Sequence, residues 1–188
     1  ARWLVGEITE VNGMLDTFIK QRPKLAEFDD RLGGKPSTEM AEVTVDDSAI
    51  FMARFANGAV GTFEASRFCA GRKNYQRWEV NGSKGSLVFN LERMNELEVY
   101  YHDDPEETRG FRVVQTTDGC HPFTSAYWPV GHIIGYEHTF INLVKTLLDS
   151  IAAGKPASPN WVDGVKNQAI LEAVETSSEA RAWVKPDA

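Results

Sequence analysis

Phe55-Ala56-Asn57-Gly58-Ala59-Val60-Gly61-Thr62-Phe63-Glu64-Ala65-Ser66-Arg67-Phe68 reads as two strands folded back on each other. Asn57-Gly58 is a strong hairpin signal, because tight turns between paired strands favour these two residues. Residues 44–55 have strand character and residues 59–68 form the returning strand. A second hairpin follows, from residues 74–80 through Asn81-Gly82-Ser83-Lys84-Gly85 to Ser86-Leu87-Val88-Phe89-Asn90. Its glycines supply positive φ where other residues are strained. Asn81-Gly82-Ser83 also matches a glycosylation acceptor, but the turn accounts for it. Residues 96–101 and 111–116 add two strands around a charged loop, His102 to Gly110. Successive strands with short turns imply a mainly antiparallel sheet.

Upstream, residues 7–19 suit a first strand. Residues 20–42 carry Pro23, Gly33, Gly34, Pro36 and many charges without clear periodicity, and read as an exposed excursion. The chain opens Ala1-Arg2-Trp3-Leu4-Val5-Gly6, which looks like the last turn of a helix closing on Gly6. No Met begins it, so truncation is the expectation. Downstream, Tyr136, Phe140, Leu143, Val144, Leu147, Leu148 and Ile151 recur at three- and four-residue intervals and give a helix over 136–153 with one apolar face. Gly154 and Pro156 stop it. A last helix over 162–183, opened by Ser158-Pro159 or Asn160, has a small inner face of Ala169, Ala173, Ser177 and Ala180.

These elements define an α+β fold: an open, mixed but mostly antiparallel sheet with two helices packed on one face. Ile50 and Met52 alternate with Phe51, Ala53 and Phe55, and Trp78 and Val80 alternate with Arg77 and Glu79. Large side chains thus stand on both faces of the sheet, while two helices cover only one. The open face is expected to form a homodimer, or a higher homo-oligomer, sheet against sheet.

The 188 residues suit one domain, and 42% hydrophobic with 25% charged residues is ordinary for a globular protein. A net charge of −7 leaves no basic stripe for nucleic acid. No apolar run reaches membrane-spanning length, so no membrane is expected. Cys69 and Cys120 read as free thiols in a reducing, cytoplasmic setting. His121, His132, Glu137 and His138 are ligand types without zinc spacing, so no metal is expected. No nucleophile elbow is present.

Three stretches carry a family resemblance: Ala1 to Ile8; Asn57 to Arg67 continuing through Trp78 to Leu87; and Gly131-His132-Ile133-Ile134-Gly135-Tyr136-Glu137-His138-Thr139-Phe140 with Asp163-Gly164. In this order and spacing the chain resembles the C-terminal domain of the Gfo/Idh/MocA oxidoreductases, NAD(P)-dependent sugar and polyol dehydrogenases. The resemblance covers essentially residues 1–188 and implies a substrate-binding and dimerisation domain. In that family a nucleotide-binding Rossmann domain comes first, with the dinucleotide fingerprint, a catalytic lysine and an Asp-x-x-x-His motif. None of these is in the sequence, so no catalytic or cofactor-binding residue carries over. The implied parent uses NAD or NADP; the chain alone is expected to be inactive and to hold no cofactor. The rival reading is a non-catalytic dimeric scaffold or sugar-binding module with no nucleotide domain.

Family substrates sit at the end of the sheet facing the nucleotide domain, and two stretches fit such a place. Arg67-Phe68-Cys69-Ala70-Gly71-Arg72-Lys73-Asn74-Tyr75 is dense in hydrogen-bond donors, and Arg72, Lys73 and Asn74 are its candidates for a sugar or polyol. His121-Pro122-Phe123, then Tyr127-Trp128-Pro129-Val130-Gly131-His132, leads into a helix and yields His132 and Tyr136. Trp128 reads as a loop anchor, and Glu137 as a favourable charge in the first helical turn.

Overall fold

The computed structural model describes residues 1–28 and 33–187. They form β1 (Ile8–Asp16), β2 (Gln21–Phe28), β3 (Gly34–Glu42), β4 (Ser48–Phe55), β5 (Val60–Ser66), β6 (Arg77–Gly82), β7 (Gly85–Asn90), β8 (Glu96–Tyr101), β9 (Arg112–Gln115), α1 (Glu137–Ala152) and α2 (Trp161–Ala180). The fold is α+β with open sheets. Every described ladder is antiparallel, and the strands fall into three sheets, β1-β4-β5, β2-β3 and β6-β7-β8-β9, rather than one mixed sheet. The chain divides into two compact units, Ala1–Ala70 with Pro159–Ala188, and Gly71–Ser158.

In the first unit the Asn57-Gly58 turn joins β4 to β5 as expected, but only Gly58 takes a positive φ, 90°. The connection therefore spans Ala56 to Ala59, closed by Phe55 N–H to Ala59 O at 2.9 Å and by the Asn57 side chain accepting from Ala59 N–H at 3.0 Å. Alternation along these strands sets two faces. On one, Val11, Ala53 and Phe55 meet Ile170, Ala173 and Val174 of α2 and form the core. Burying side chains of this size contributes about 1.5–3 kcal/mol each for the larger ones. The opposite face carries Met14, Ile50 and Met52, which are 60%, 45% and 46% exposed.

The free edge of β1 is covered, not bare. Its outward amides at Gly13 and Leu15 donate to Ser177 Oγ at 2.9 Å and Ser178 Oγ at 3.0 Å, and Val11 pairs with Val184 in both directions. A sheet edge satisfied in this way no longer templates another strand. Gly13 permits the close approach: a Cβ there would stand 2.8 Å from Val174 Cγ1. α2 opens on a capping box, Asn160 bonding Val162 N–H while Asp163 returns to Asn160 N–H. It ends at Ala180, three residues earlier than periodicity suggests, because Arg181 adopts the left-handed conformation with φ 52°. Ala180 is consequently exposed, whereas Ala169, Ala173 and Ser177 are buried along with Ile170 and Val174.

The expected excursion over 20–42 is instead the β2-β3 hairpin; its tip, 29–32, lies outside the described residues. None of the hairpin residues whose burial is described, 21–27 and 33–42, is buried, so no apolar alternation was needed to form it. Its register shifts between Pro23 and Leu25 and again between Leu25 and Glu27, close to a proline that has no N–H to give the ladder. The opening residues do form a helical turn, Val5 N–H to Ala1 O at 2.8 Å, ending at Gly6 with φ 130°.

In the second unit β6 to β9 make a meander whose buried centre is Val88, with Trp78 and Phe89 stacked at 5.1 Å. α1 forms where the periodicity placed it, but none of its residues is buried. Its half-buried residues are His138, Asn142, Thr146 and Ser150, one polar stripe. The apolar face that was expected to pack on the sheet is turned outward.

Candidate functional site

The site belongs to the second unit, where the link from β9 to α1 folds over the end of α1. Asn95, just before β8, clamps the link: its side chain donates to Ile134 O at 2.9 Å and accepts from Ile134 N–H at 2.8 Å. Thr124 is buried and its hydroxyl bonds the carbonyls of Asp118 and His121 at 2.6 and 2.8 Å. Between these anchors Phe123 takes φ 68°, which is costly for an aromatic residue and turns the chain sharply.

The result is a concavity of about 270 Å³, lined by Met94, Thr116, His121, Pro122, Thr124, Tyr127, Ile134, His138, Thr139 and Asn142. A neighbouring one of about 330 Å³ shares Tyr127 and His138 and adds Ala126, Trp128, Pro129 and Ile141. Both are near the lower bound of small-ligand sites, about 300 Å³. The Tyr127 hydroxyl donates to Asn142 Oδ1, and its ring meets the His138 ring edge-on at 4.6 Å. His138 Nδ1 stands 3.0 Å from Gly135 N and 3.3 Å from Gly135 O; in the neutral tautomer that accepts from Gly135 N–H, Nε2 carries the proton and is the donor. His121 bonds Gln115 O through Nε2 at 3.2 Å, leaving Nδ1 as an acceptor.

No Asp, Glu, Lys or Arg lines either concavity. The polar groups of the concavity of about 270 Å³ are hydroxyls, an amide and imidazoles; the Thr124, Tyr127 and Thr139 hydroxyls already donate within the chain, and the rest of the wall is apolar, a set better suited to a neutral ligand than to an anion. The carboxylates held below their usual range lie elsewhere. Glu7 is held so by the Arg2 side chain, Asp47 by Ile19 N–H, Glu79 by the Asn81 side chain, and Asp163 by Asn160 N–H.

The sequence candidates fall in the same unit but in separate groups. Glu92 ties two of them together, accepting from Lys73 N–H at 3.0 Å and lying 3.5 Å from Arg72 Nη1, while Arg72 covers the Tyr75 ring at 3.9 Å. Asn74 is exposed beside them. His132 is exposed, with Nδ1 on Pro129 O at 2.8 Å and its ring against Trp128 at 6.0 Å. Tyr136 stands at the head of α1 against Phe140, ring centres 5.5 Å apart. None of the five lines either concavity. The stretch 121–132 does line them, through His121, Pro122, Thr124 and Tyr127, with His138 and Asn142 supplied by α1. Asn95 carried no signal in the sequence; the hint for His138 and Asn142 was their four-residue spacing on one helix side.

Among the described residues no three His, Cys, Asp or Glu side chains gather to hold a metal ion, and no helix is long and apolar enough to cross a membrane. Among the described residues no glycine-rich turn leads from a strand into a helix, the device that ordinarily holds a dinucleotide. α1 follows a 3-10 turn and an irregular link, and α2 follows Ser158-Pro159-Asn160.

An α+β scaffold with open antiparallel sheets and a neutral concavity at the head of a helix is the class of protein defined so far. Residues 1–88 match the GFO/IDH/MocA C-terminal domain. Levoglucosan dehydrogenase from Pseudarthrobacter phenanthrenivorans is 41% identical over 187 residues, covering 98% of this chain and 48% of that protein. An oxidoreductase domain protein from Kribbella flavida is 47% identical with a TM-score of 0.87, covering 96% of this chain and 46% of that one. A levoglucosan dehydrogenase solved with NADH and levoglucosan is 39% identical with a TM-score of 0.89, covering 100% and 47%. The chain thus spans about half the length of the relatives it matches. It belongs to the Gfo/Idh/MocA oxidoreductase family, as a C-terminal domain.

Proposed function

We propose that the chain is the substrate-recognition and oligomerisation domain, residues 1–188, of an NAD(P)-dependent dehydrogenase that oxidises a sugar or polyol by hydride transfer. The observation that carries this is the match along 98% of the chain to a levoglucosan dehydrogenase, at 41% identity. The concavity without a charged lining residue supports a neutral ligand such as a sugar over a charged substrate. On this reading the dinucleotide is held by a separate nucleotide-binding domain of the parent protein, which supplies the hydride acceptor and the proton-handling side chains. This chain binds and orients the hydroxyl-bearing ligand and excludes water from it. Arg72, Lys73, Asn74, His132 and Tyr136 remain proposed substrate contacts, and the geometry adds His121, Tyr127, His138 and Asn142. The exposed free thiols Cys69 and Cys120 suit a reducing, cytoplasmic setting.

The test is steady-state oxidation of levoglucosan and a panel of sugars and polyols by the full-length protein, followed by reduced-nicotinamide absorbance. His138→Phe keeps the ring against Tyr127 but removes the Nε2 donor. It is expected to raise KM for the sugar about tenfold, the worth of one hydrogen bond, with the KM for NAD unchanged. Turnover of no sugar or polyol by the wild type, or an unchanged KM in the variant, counts against the respective part of this reading.

A further inference from the structure

Asn95, in the connection from β7 to β8, carries a donor and an acceptor on one short side chain, as a peptide unit does. It spends both on Ile134, 39 residues away: Nδ2 donates to Ile134 O at 2.9 Å and Oδ1 accepts from Ile134 N–H at 2.8 Å. Main-chain partners of opposite kind fix which end of the amide is which. The Asn95 main chain holds a second piece of the site, its carbonyl accepting from Thr116 N–H at 2.9 Å. Met94, Thr116 and Ile134 all line the concavity of about 270 Å³, so one residue joins three parts of its wall.

The Ile134 carbonyl and the Gly135 N–H belong to one peptide unit. A trans peptide is planar, so the two groups point opposite ways and whatever aims the carbonyl also aims the amide. Gly135 N stands 3.0 Å from His138 Nδ1. Two acceptors compete for a proton on that nitrogen. Gly135 O is 3.3 Å away, but it already accepts from the His138 main-chain N–H at 3.1 Å. Glu137 Oε1 is 3.7 Å away, beyond a hydrogen bond, on a side chain that is 74% exposed. The Tyr127 ring, edge-on at 4.6 Å, restrains the imidazole from turning.

We propose that Asn95 is a positioning residue for the substrate, an inference that rests on the proposed function: through the Ile134–Gly135 peptide it holds His138 in the neutral tautomer with the proton on Nε2. His138, which lines both concavities, then offers the ligand a donor, the group that pairs with an oxygen of a neutral sugar. The other tautomer sets a proton on Nδ1 against the Gly135 N–H, donor against donor, which is costly in a part-buried place. Without the clamp the Ile134–Gly135 peptide is free to rotate, and the imidazole loses the amide that selects its tautomer.

The first readout is nitrogen-15 NMR of the imidazole rings in the 188-residue chain at about pH 9, above the ordinary histidine range, with the signals of the four histidines sorted by His138→Phe. Wild-type His138 is expected to show its proton on Nε2. Asn95→Ala is expected to move both ring nitrogens toward the averaged position of mixed tautomers. Asn95→Asp, which keeps the acceptor and loses the donor, is the milder second variant should the alanine chain fail to fold. Asn90→Ala is the control: it removes the cap on Glu92 N–H, 3.0 Å long, beside the same connection, and Asn90 lines no concavity. It is expected to lower the melting temperature and to leave the His138 signals in place. The second readout is KM for the sugar in the full-length protein. Asn95→Ala is expected to raise it about fivefold, and to raise it no further when added to His138→Phe. A proton on Nδ1 in the wild type, unmoved signals in both Asn95 variants, or equal movement in Asn90→Ala overturns the proposal. So does additivity of the two substitutions in KM, since Asn95 then acts on the ligand by another route. Full-length wild type that turns over no sugar or polyol refutes the functional reading and the substrate role with it; the nitrogen-15 signals still decide the clamp by themselves.

Discussion

Asp47 shows how much one side chain can organise. It is 1% exposed, and its Oδ2 accepts from Phe18 N–H and Ile19 N–H, both at 2.9 Å, tying the exit of β1 to the entry of β4. Its other oxygen has no hydrogen-bond partner among the described residues; Arg22 stands 3.7 Å from it. The Ile19 amide first, then Phe18 and the two arginines Arg22 and Arg67, hold its pKa below the usual carboxylate range against the cost of burial. A lowered native pKa stabilises the fold fully above the unfolded carboxylate value, and that contribution is lost as pH falls through the native one. Asp163 behaves the same way, through Asn160 N–H and then Arg2, with Arg2 also bonded to Glu7 at 3.0 and 3.1 Å. Asp47→Asn is therefore expected to lower the melting temperature at neutral pH and to flatten its decline in acid, measured by circular dichroism from neutral to strongly acidic pH. A variant that keeps the wild-type acid slope shows that Asp47 does not carry it.

The packing of α2 on β1 depends on a position with no side chain. At Gly13 a methyl group would stand 2.8 Å from Val174 Cγ1 and 3.2 Å from Val174 O, too close without movement of the helix. Gly13→Ala is expected to destabilise the first unit by about 1–3 kcal/mol, read by urea denaturation with an unchanged slope. A loss smaller than the measurement error means that α2 moves freely on the strand. Elements with one dry face were legible in the sequence. β4, β5 and α2 were visible because alternation or helical period records burial, and β8 fell on the expected residues 96–101. The β2-β3 hairpin was not legible, because both its faces are wet and main-chain pairing leaves no mark on side-chain polarity. The end of α2 was hidden too: Arg181 takes a left-handed conformation that sequence signals reserve for glycine. For the site, the stretch 121–132 was legible from its density of rings, His and Pro. Which of its side chains turn inward was not, since that follows from the Phe123 turn and the Asn95 clamp, made by residues far apart in sequence.

Among the described residues, large apolar side chains stand exposed in both compact units. Met14, Ile50 and Met52 lie on the sheet face opposite α2, and the outward stripe of α1 lies in the other unit. The proposed homodimer uses the first of these. Sedimentation of the 188-residue chain is expected to give a dimer, and Ile50→Lys to give a monomer with the fold intact. A wild-type monomer at high concentration removes the dimer from the scheme. The net charge of −7 keeps such surfaces from collapsing on one another without a matched partner. The proposed division of labour, with this chain binding the sugar and a separate domain the dinucleotide, is best tried by hydrogen exchange on the full-length protein, with NADH alone and then with NADH and levoglucosan. Protection on adding the sugar should concentrate in residues 116–142, around His121, Tyr127, His138 and Asn142. Sugar protection lying wholly outside that stretch, or tight binding of NADH by residues 1–188 alone, would show that the chain is not the substrate half of the enzyme.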